Sequence, residues 1–397
     1  MPSPPRCAIL PPVPVPYREP LFRLLAERGR IEPRVIYLSG EQPGWDQRSD
    51  WFPRGHAYRA MALRSWQRAR PGRSPVTLPR GLGRALRGAA PACVVSWEYG
   101  PATLRALAWC RKRRLPLLVF SELTPHSDAA LPPGRVRFHR RLASRVDGFV
   151  AAGSSARERL VGMGVRPELV EVSLQSADVE AFRRAAATRK RRDGPVRVLS
   201  VGRLVPDKNL GRLLRAFAEA GIAEEARLEL VGTGPLEDEL RAEARRLGVP
   251  ASFRGYLGPA ELPEAYAGAD VLALVSTYEP FGVTVREGVA AGLPIVCTRA
   301  AGASADLALD NATLVDPGRD DQIAAALRRL VRDRAERERM ASASRALAER
   351  TPLSADAEAF ERAVLGAIER RGQAGDQPPS SAGRTSSRTE RSAASGR

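Results

Sequence analysis

Residues 276–294 read Ser276-Thr-Tyr-Glu279-Pro-Phe281-Gly282-Val283-Thr284-Val-Arg-Glu287-Gly-Val-Ala-Ala-Gly-Leu-Pro294. The apolar run Val271-Leu-Ala-Leu-Val275 before them reads as a buried parallel strand, and Phe281-Gly282 as its tight exit. Val283 to Ala291 then reads as a helix, stopped by Gly292 with Pro294 beyond it. This puts Glu279 in the loop at the carboxyl end of a strand, where open α/β sheets bind ligands, and Glu287 on the second turn of the following helix. The two carboxylates can face one crevice and accept from a polyhydroxylated ligand. Between them the amides of Gly282, Val283 and Thr284 open the helix with free N–H donors and a positive dipole end, which suits a phosphate.

Outward from this stretch, short apolar runs alternate with helical patterns. Ala8–Leu10, Arg34–Leu38, Cys93–Ser96, Leu117–Phe120 and Gly148–Ala151 read as strands, with helices at Leu21–Arg28 and Ala156–Met163, the latter capped by Ser154 or Ser155. A second set runs Val196–Val201, helix Leu210–Ala220, Arg227–Val231, helix Leu236–Leu247, Ala251–Arg254, Val271–Val275, Ile295–Cys297 and helix Gln322–Arg332. This alternation implies parallel sheets and an α/β chain of two Rossmann-like doubly wound domains facing across a cleft. The expected division is a first Rossmann-like domain at 1–182, a basic linker at 183–194, a second Rossmann-like domain at 195–353, a helix at 354–369 and a disordered basic tail at 370–397.

With 397 residues, 43% of them hydrophobic, the chain can fill two cores. It holds no run of 18 apolar residues and its first residues lack a signal peptide's apolar segment, so a cytoplasmic protein is expected, peripheral at most on the inner face of the cell membrane. Cys7, Cys93, Cys110 and Cys297 are scattered without Cys-x-x-Cys spacing, which indicates neither a zinc site nor a disulfide framework. The net charge of +18 is uneven: residues 1–180 carry 29 Lys and Arg against 15 Asp and Glu, whereas residues 181–369 carry 28 against 28. A genome-wide preference for arginine would act on both halves alike. The basic first half therefore points to an anionic partner, a phospholipid surface or a phosphorylated lipid acceptor, with Arg64–Arg87, Arg111–Arg114, Trp51, Phe52 and Trp66 as candidates. Nucleic acid is not expected, because no recognition motif accompanies the charge.

Two further constellations carry chemistry. In Val201-Gly202-Arg203-Leu-Val-Pro-Asp-Lys208-Asn209, a strand exit is followed by a helix whose Leu210, Leu213, Leu214 and Phe217 fit one apolar face, with Asn209 as its N-cap. An arginine fork and a lysine point charge across this turn can grip a diphosphate without metal, and Lys208 is one of only three lysines among 63 basic residues. Leu228-Glu-Leu-Val-Gly232-Thr-Gly234-Pro is a strand running through a Gly-x-Gly turn into a helix.

Taken together, Gly-Arg-Leu-x-x-x-Lys-Asn, Leu-Val-Gly-x-Gly-Pro-Leu, Phe-x-Gly-Tyr, Ala-Asp-Val, the Glu279/Glu287 spacing and Ala-Ala-Gly-Leu-Pro-Ile-Val resemble the C-terminal half of a family 4 glycosyltransferase of the GT-B fold, over about residues 195–350. The resemblance implies a retaining transferase that moves a sugar from a nucleotide-diphosphate sugar to a hydroxyl of a saccharide or lipid-linked acceptor. It implies Arg203 and Lys208 at the diphosphate, Glu287 at the ribose and Glu279 at the donor sugar. It further implies Tyr256 and Leu257 by the base, and Gly202, Gly232, Gly234, Phe281, Gly282, Val283 and Thr284 around the donor. The first half departs from the family: Pro11-Pro-Val-Pro-Val-Pro-Tyr-Arg18 replaces a glycine pair, and Glu122 stands where many members have a histidine, with His126 four residues on. Glu122 or His126 could orient the acceptor or the donor sugar, and Arg18 falls on the acceptor side. No Asp-x-Asp follows a strand, so no metal and no cofactor is expected. A nucleotide-sugar epimerase of similar fold and a catalytically silent binding protein are the alternatives. A silent homologue would be expected to lack one of Arg203, Lys208 or Glu279, and all three are present.

Overall fold

A computed structural model describes residues 3–41, 58–70, 73–188 and 194–376. The first half is built on strands β1 (Arg6–Leu10), β2 (Glu32–Tyr37), β3 (Arg59–Ala62), β6 (Cys93–Trp97), β7 (Leu117–Ser121), β8 (Gly148–Ala151) and β9 (Val170–Val172), in the order β3-β2-β1-β6-β7-β8-β9 and all parallel. A hairpin of β4 (Ser65–Arg70) and β5 (Arg73–Pro79) stands apart as an antiparallel pair. The second half contains β10 (Val196–Val201), β11 (Ala226–Val231), β12 (Ala251–Phe253), β13 (Val271–Leu274), β14 (Ile295–Thr298) and β15 (Ala312–Val315), parallel in the order β12-β11-β10-β13-β14-β15. Val-Leu-Ala-Leu and Ile-Val-Cys-Thr are buried along their whole length, as strands covered on both faces must be. Each sheet reverses direction once, between β1 and β6 in the first and between β10 and β13 in the second, and the crevice beyond such a switch point is where ligands bind.

Two crossings join the halves. The helix Val179–Ala187 leaves the first half and packs on the helix Leu262–Ala267 of the second, Phe182 meeting Tyr266 edge to face at 5.0 Å. Residues 183–187 are therefore helix rather than linker: Val179, Phe182 and Ala185 form an apolar stripe that the surrounding charge conceals, and residues 189–193 lie outside the described residues. The chain returns in the helix Leu353–Asp376, which lies on β8 and β9 and on the helix Glu19–Arg28. Arg28 pairs with the buried Glu361 at 3.0 Å, and Arg371 with Asp147 at 3.3 Å. This docking carries the last helix seven residues beyond the expected end at 369; residues 377–397 lie outside the described residues.

Two cap assignments also differ. Gly153 caps the helix Ser154–Gly162, and Ser154, already inside it, instead gives its N–H and hydroxyl to Asp306 of the second half at 2.9 and 2.5 Å. Asn209 caps no helix with its side chain. It sits at φ +58°, and its amide donates to the carbonyls of Val275 and Pro317, fastening the turn after β10 to the loops after β13 and β15. Among the described residues no helix is long and apolar enough to cross a membrane, and all four cysteines are buried and free.

Candidate functional site

The two constellations read from the second half leave the two strands that flank its switch point. From β10 the chain passes through Gly202 and the exposed Arg203 to Lys208; from β13 it passes through Ser276 to Glu279 and Gly282. The Lys208 ammonium donates to Glu279 Oε2, which also accepts from Ser276 Oγ at 3.3 Å. The lysine stem lies over Gly202: a Cβ there would stand 3.1 Å from Lys208 Cε, on a backbone at φ +153°. The loop of Glu279 is held in turn by Gly302, whose N–H donates to the Glu279 carbonyl at 3.1 Å. Gly282, at φ +98°, caps the helix Val283–Ala290, and Thr284 on its first turn keeps Oγ1 buried without a hydrogen-bond partner. A cation, a carboxylate and a helix start thus converge on one crevice.

Glu287 lies on the inner side of that helix and is buried. Its Oε2 accepts from Tyr266 Oη at 2.5 Å, and its other oxygen has no protein partner among the described residues. Burial pushes its carboxyl up to about 7, against the Tyr266 hydrogen bond, which favours the charged form. Below that value Glu287 is neutral and above it a carboxylate. If it holds ribose hydroxyls, a nucleoside diphosphate should bind about fivefold more tightly at pH 8 than at pH 6, beyond the change seen in Glu287→Gln, when titrated by calorimetry.

The Gly-x-Gly turn is required by the packing of the loop itself. A Cβ on Gly232 would fall 1.9 Å from the carbonyl oxygen of Gly202, and one on Gly234 would fall 2.4 Å from that of Leu204. The glycines let the β11 exit lie against the β10 exit, where Leu204 N–H donates to Thr233 and Leu236 N–H to Leu204. Gly232→Ala, strained as well at φ +134°, should cost about 2 kcal/mol or more of stability in thermal and urea denaturation, with or without nucleotide. Tyr256 and Leu257 follow β12 half-buried, and Gly232 N–H reaches the neighbouring Gly255 carbonyl at 2.8 Å. Phe281 is corrected from donor contact to packing. It is 3% exposed in the core shared by both halves, 3.4 Å from where a Cβ of Gly153 would lie.

Across the crevice, Glu122 follows β7 as read, but it is heavily engaged. Its Oε1 accepts from Arg18 Nη2 at 3.0 Å, Trp97 Nε1 at 2.8 Å and Gln175 Nε2 at 2.8 Å. Arg18, itself 6% exposed, lies over the Trp97 ring at 4.7 Å, and Trp97 stacks on Phe120 at 3.9 Å. Arg18 and Glu122 are therefore one ion pair fixed in an aromatic setting. His126 has an exposed ring 3.1 Å from the Thr277 carbonyl, a contact that latches one half to the other, two residues before Glu279. His139 is buried, stacked on Tyr99 and bonded to Arg159; burial and that arginine bring it down to about 4, so it stays neutral.

Other residues of the site carry no motif. Tyr17, at the end of the proline-rich loop, feels Arg18 and Glu122 from its own half and Glu279 and Glu287 from the other, while burial pushes its phenol up. Glu98, at φ +52° just beyond β6, accepts from the N–H groups of Glu122 and Leu123 and the Ser121 hydroxyl; burial pushes it up to about 7. Its place at the exit of a switch-point strand was the available signal. Arg286, beside Glu287, is 1% exposed. It donates to the carbonyls of Leu174 and Gln175 at 3.2 and 2.9 Å, to Thr351 at 3.4 Å and to Asp356, so it ties both crossings to the helix of the site.

Residues 182–347 match the family model described as Glycosyl transferases group 1. The sulfoquinovosyl transferase SQD2 of Arabidopsis thaliana is 32% identical over 203 residues, which is 50% of this chain and 38% of that one. A glycogen synthase of Mycobacterium tuberculosis is 30% identical over 209 residues, 51% of this chain and 50% of the other. In both cases the match spans half or less of the relative's length. Among solved structures, Anabaena Alr3699/HepE in complex with UDP aligns with a TM-score of 0.71 at 19% identity, over 91% of this chain and 100% of that one. WaaG, a glycosyltransferase involved in lipopolysaccharide biosynthesis, aligns with a TM-score of 0.63 at 17% identity over 91% and 100%. The two-domain, Rossmann-like GT-B fold is thus shared across nine tenths of the chain, and its second half carries a glycosyl transferases group 1 domain.

Proposed function

We propose that this protein is a retaining glycosyltransferase that moves a sugar from a nucleotide-diphosphate sugar to a hydroxyl of a saccharide or lipid-linked acceptor, in cell-envelope or polysaccharide glycan synthesis. The observation that carries this reading is the meeting of Lys208, Glu279 and the Gly282-headed helix at the exits of β10 and β13. The bond from the anomeric carbon to the phosphate oxygen breaks, the nucleoside diphosphate departs, and the acceptor oxygen bonds to that carbon on the same face, giving up its proton to the departing phosphate. Negative charge grows on the leaving phosphate. Arg203, Lys208 and the helix start are donors for it, and in a closed crevice such donors act more strongly on the transition state than on the ground state. Glu279 binds sugar hydroxyls once the ligand draws Lys208 toward phosphate. Glu122 holds Arg18 at the acceptor side. Tyr256 and Leu257 flank the base, and Glu287 takes the ribose.

Support for a uridine nucleotide comes from HepE, solved with UDP and with UDP-glucose. The first test is a thermal-shift panel of UDP-, GDP- and ADP-sugars, followed by radiolabelled transfer to candidate acceptors. Stabilisation by none of them overturns the reading. Sugar release that needs no acceptor favours an epimerase, and binding without turnover favours a silent binding protein. Because guanidinium and ammonium groups take the charge on the diphosphate, transfer should persist in EDTA at a rate within about twofold of the untreated enzyme; a strict need for Mg²⁺ or Mn²⁺ in the chemical step would refute that point. The acceptor is proposed to lie at an anionic membrane surface on the cytoplasmic side. Of the aromatic candidates for that contact, Trp66 is 50% exposed on the β4–β5 hairpin, while Trp51 and Phe52 lie outside the described residues.

A further inference from the structure

Many arginines of both halves meet carboxylates: Arg28 meets Glu361 and Arg159 meets Asp128 in the first, and Arg212 and Arg215 share Asp320 in the second. The helix Pro133–Ala143 of the first half breaks this habit. Its inner face buries His139 and Leu142, whereas Arg137, Arg140 and Arg141 are exposed and have no carboxylate partner among the described residues. A bias toward arginine explains their number but not their isolation.

These three line a groove of about 990 Å³ between the helix and residues 163–169, with Arg166, which pairs with the exposed Glu168 at 3.4 Å, on the far wall and no acidic side chain in the lining itself. The floor is apolar, from Phe149 and Met163, and Phe138 stands 38% exposed at the edge. One sign of charge above a hydrocarbon floor fits neither a free sugar phosphate nor this chain's own end. Residues 377–397 carry four arginines and one glutamate and are repelled, and Arg370 and Arg371 already sit on Asp147 just past the groove at Val146. Anionic headgroups over acyl chains complement both features.

We propose that this groove, rather than Arg64–Arg87 or Arg111–Arg114, is the surface by which the protein docks on an anionic phospholipid bilayer. The arginines take lipid phosphates and Phe138 enters the headgroup region. The proposal rests on the membrane reading above and is independent of the transfer chemistry.

The test is co-sedimentation of the full-length protein with phosphatidylcholine vesicles that contain or lack phosphatidylglycerol. Each arginine near an anionic surface is worth about 1 kcal/mol, or about fivefold in partitioning. The variant Arg137→Glu/Arg140→Glu/Arg141→Glu should therefore lose about 100-fold or more of its affinity for the anionic vesicles. Phe138→Ser should weaken binding without changing its salt dependence, and a control with the same charge change, Arg111→Glu/Lys112→Glu/Arg114→Glu, should bind nearly as the parent does. Raising salt should release the parent protein. A thermal shift with UDP retained in every variant shows that the fold and the nucleotide site stand. The proposal is overturned if the groove variant binds as the parent does, if the control loses as much, or if the parent ignores anionic vesicles at low salt. Loss of retention on heparin with unchanged vesicle binding would also overturn it and would assign the groove to an acidic macromolecule. In each of these cases an intact UDP shift leaves the proposed transfer untouched.

Discussion

Lys208→Ala should lower turnover by about 10²-fold or more while leaving the folded protein intact. Losing one preorganised donor to a developing negative charge costs about 2.7–4 kcal/mol of transition-state stabilisation, and Lys208 is placed for that task. Its ammonium reaches Glu279, its stem is laid over Gly202, and its side chain is 18% exposed at the crevice, so removing it opens no buried cavity. The loss should fall mainly on kcat, because the donor matters most when charge reaches the departing phosphate, and KM for the sugar nucleotide should change less. Lys208→Arg should not restore the rate: a planar fork cannot sit where the compact ammonium packs against the glycine. Initial rates with saturating acceptor, alongside melting temperature, separate the two effects. Parent-like turnover in the alanine variant would remove Lys208 from the mechanism.

The parts of this site that could be read from sequence are those whose logic is local. A parallel strand buried on both faces is a continuous apolar run, and its exit is marked by glycine, so β10 and β13 and the loops after them could be located, with Gly202, Lys208, Glu279 and Gly282 on them. Which strands are neighbours is not local, yet doubly wound topology fixes it closely enough to bring the exits of the first and fourth strands of a half together. Contacts that join distant stretches left no trace. Glu122 could be placed at a strand exit, but its partners come from positions 18, 97 and 175, and nothing in the spacing of those residues shows that they share one oxygen. Phe281 has the company of a ligand motif and the burial of a core residue, because the first half closes over it at Gly153. What the glycines of the Gly-x-Gly turn supply besides backbone freedom, the absence of a side chain against a neighbouring carbonyl, is likewise a contact between distant stretches. In the segment 183–187, the density of arginine masked an apolar stripe of ordinary helical spacing.

Arg286→Met should destabilise the protein by about 3–5 kcal/mol, the usual consequence of removing one partner from a buried ion pair. Arg286 and Asp356 are 1% and 4% exposed; the carboxylate also accepts the Leu174 N–H at 2.8 Å, and burial already pushes it above its ordinary range against the pull of the arginine. Without Arg286 that carboxylate is left in an apolar junction and is driven further toward its protonated form. The pH dependence follows from the sign. A carboxyl whose folded value lies above the unfolded one, near 4, contributes stability that is present at low pH and lost as pH rises through the window between the two values. The Arg286→Met protein should therefore be relatively more stable near pH 5 than near pH 8, measured against the parent at each pH by thermal and urea denaturation. Adding Asp356→Asn should recover much of the loss at pH 8, since the amide oxygen can still accept from Leu174 while carrying no charge. An additive double variant, with a second loss as large as the first, would mean that Arg286 acts through its three carbonyl contacts rather than through the ion pair. Those contacts hold Leu174, Gln175 and Thr351, the points where the chain crosses between the halves. In either case Arg286 fastens the helix bearing Glu287 to the stretches where the chain crosses between the halves.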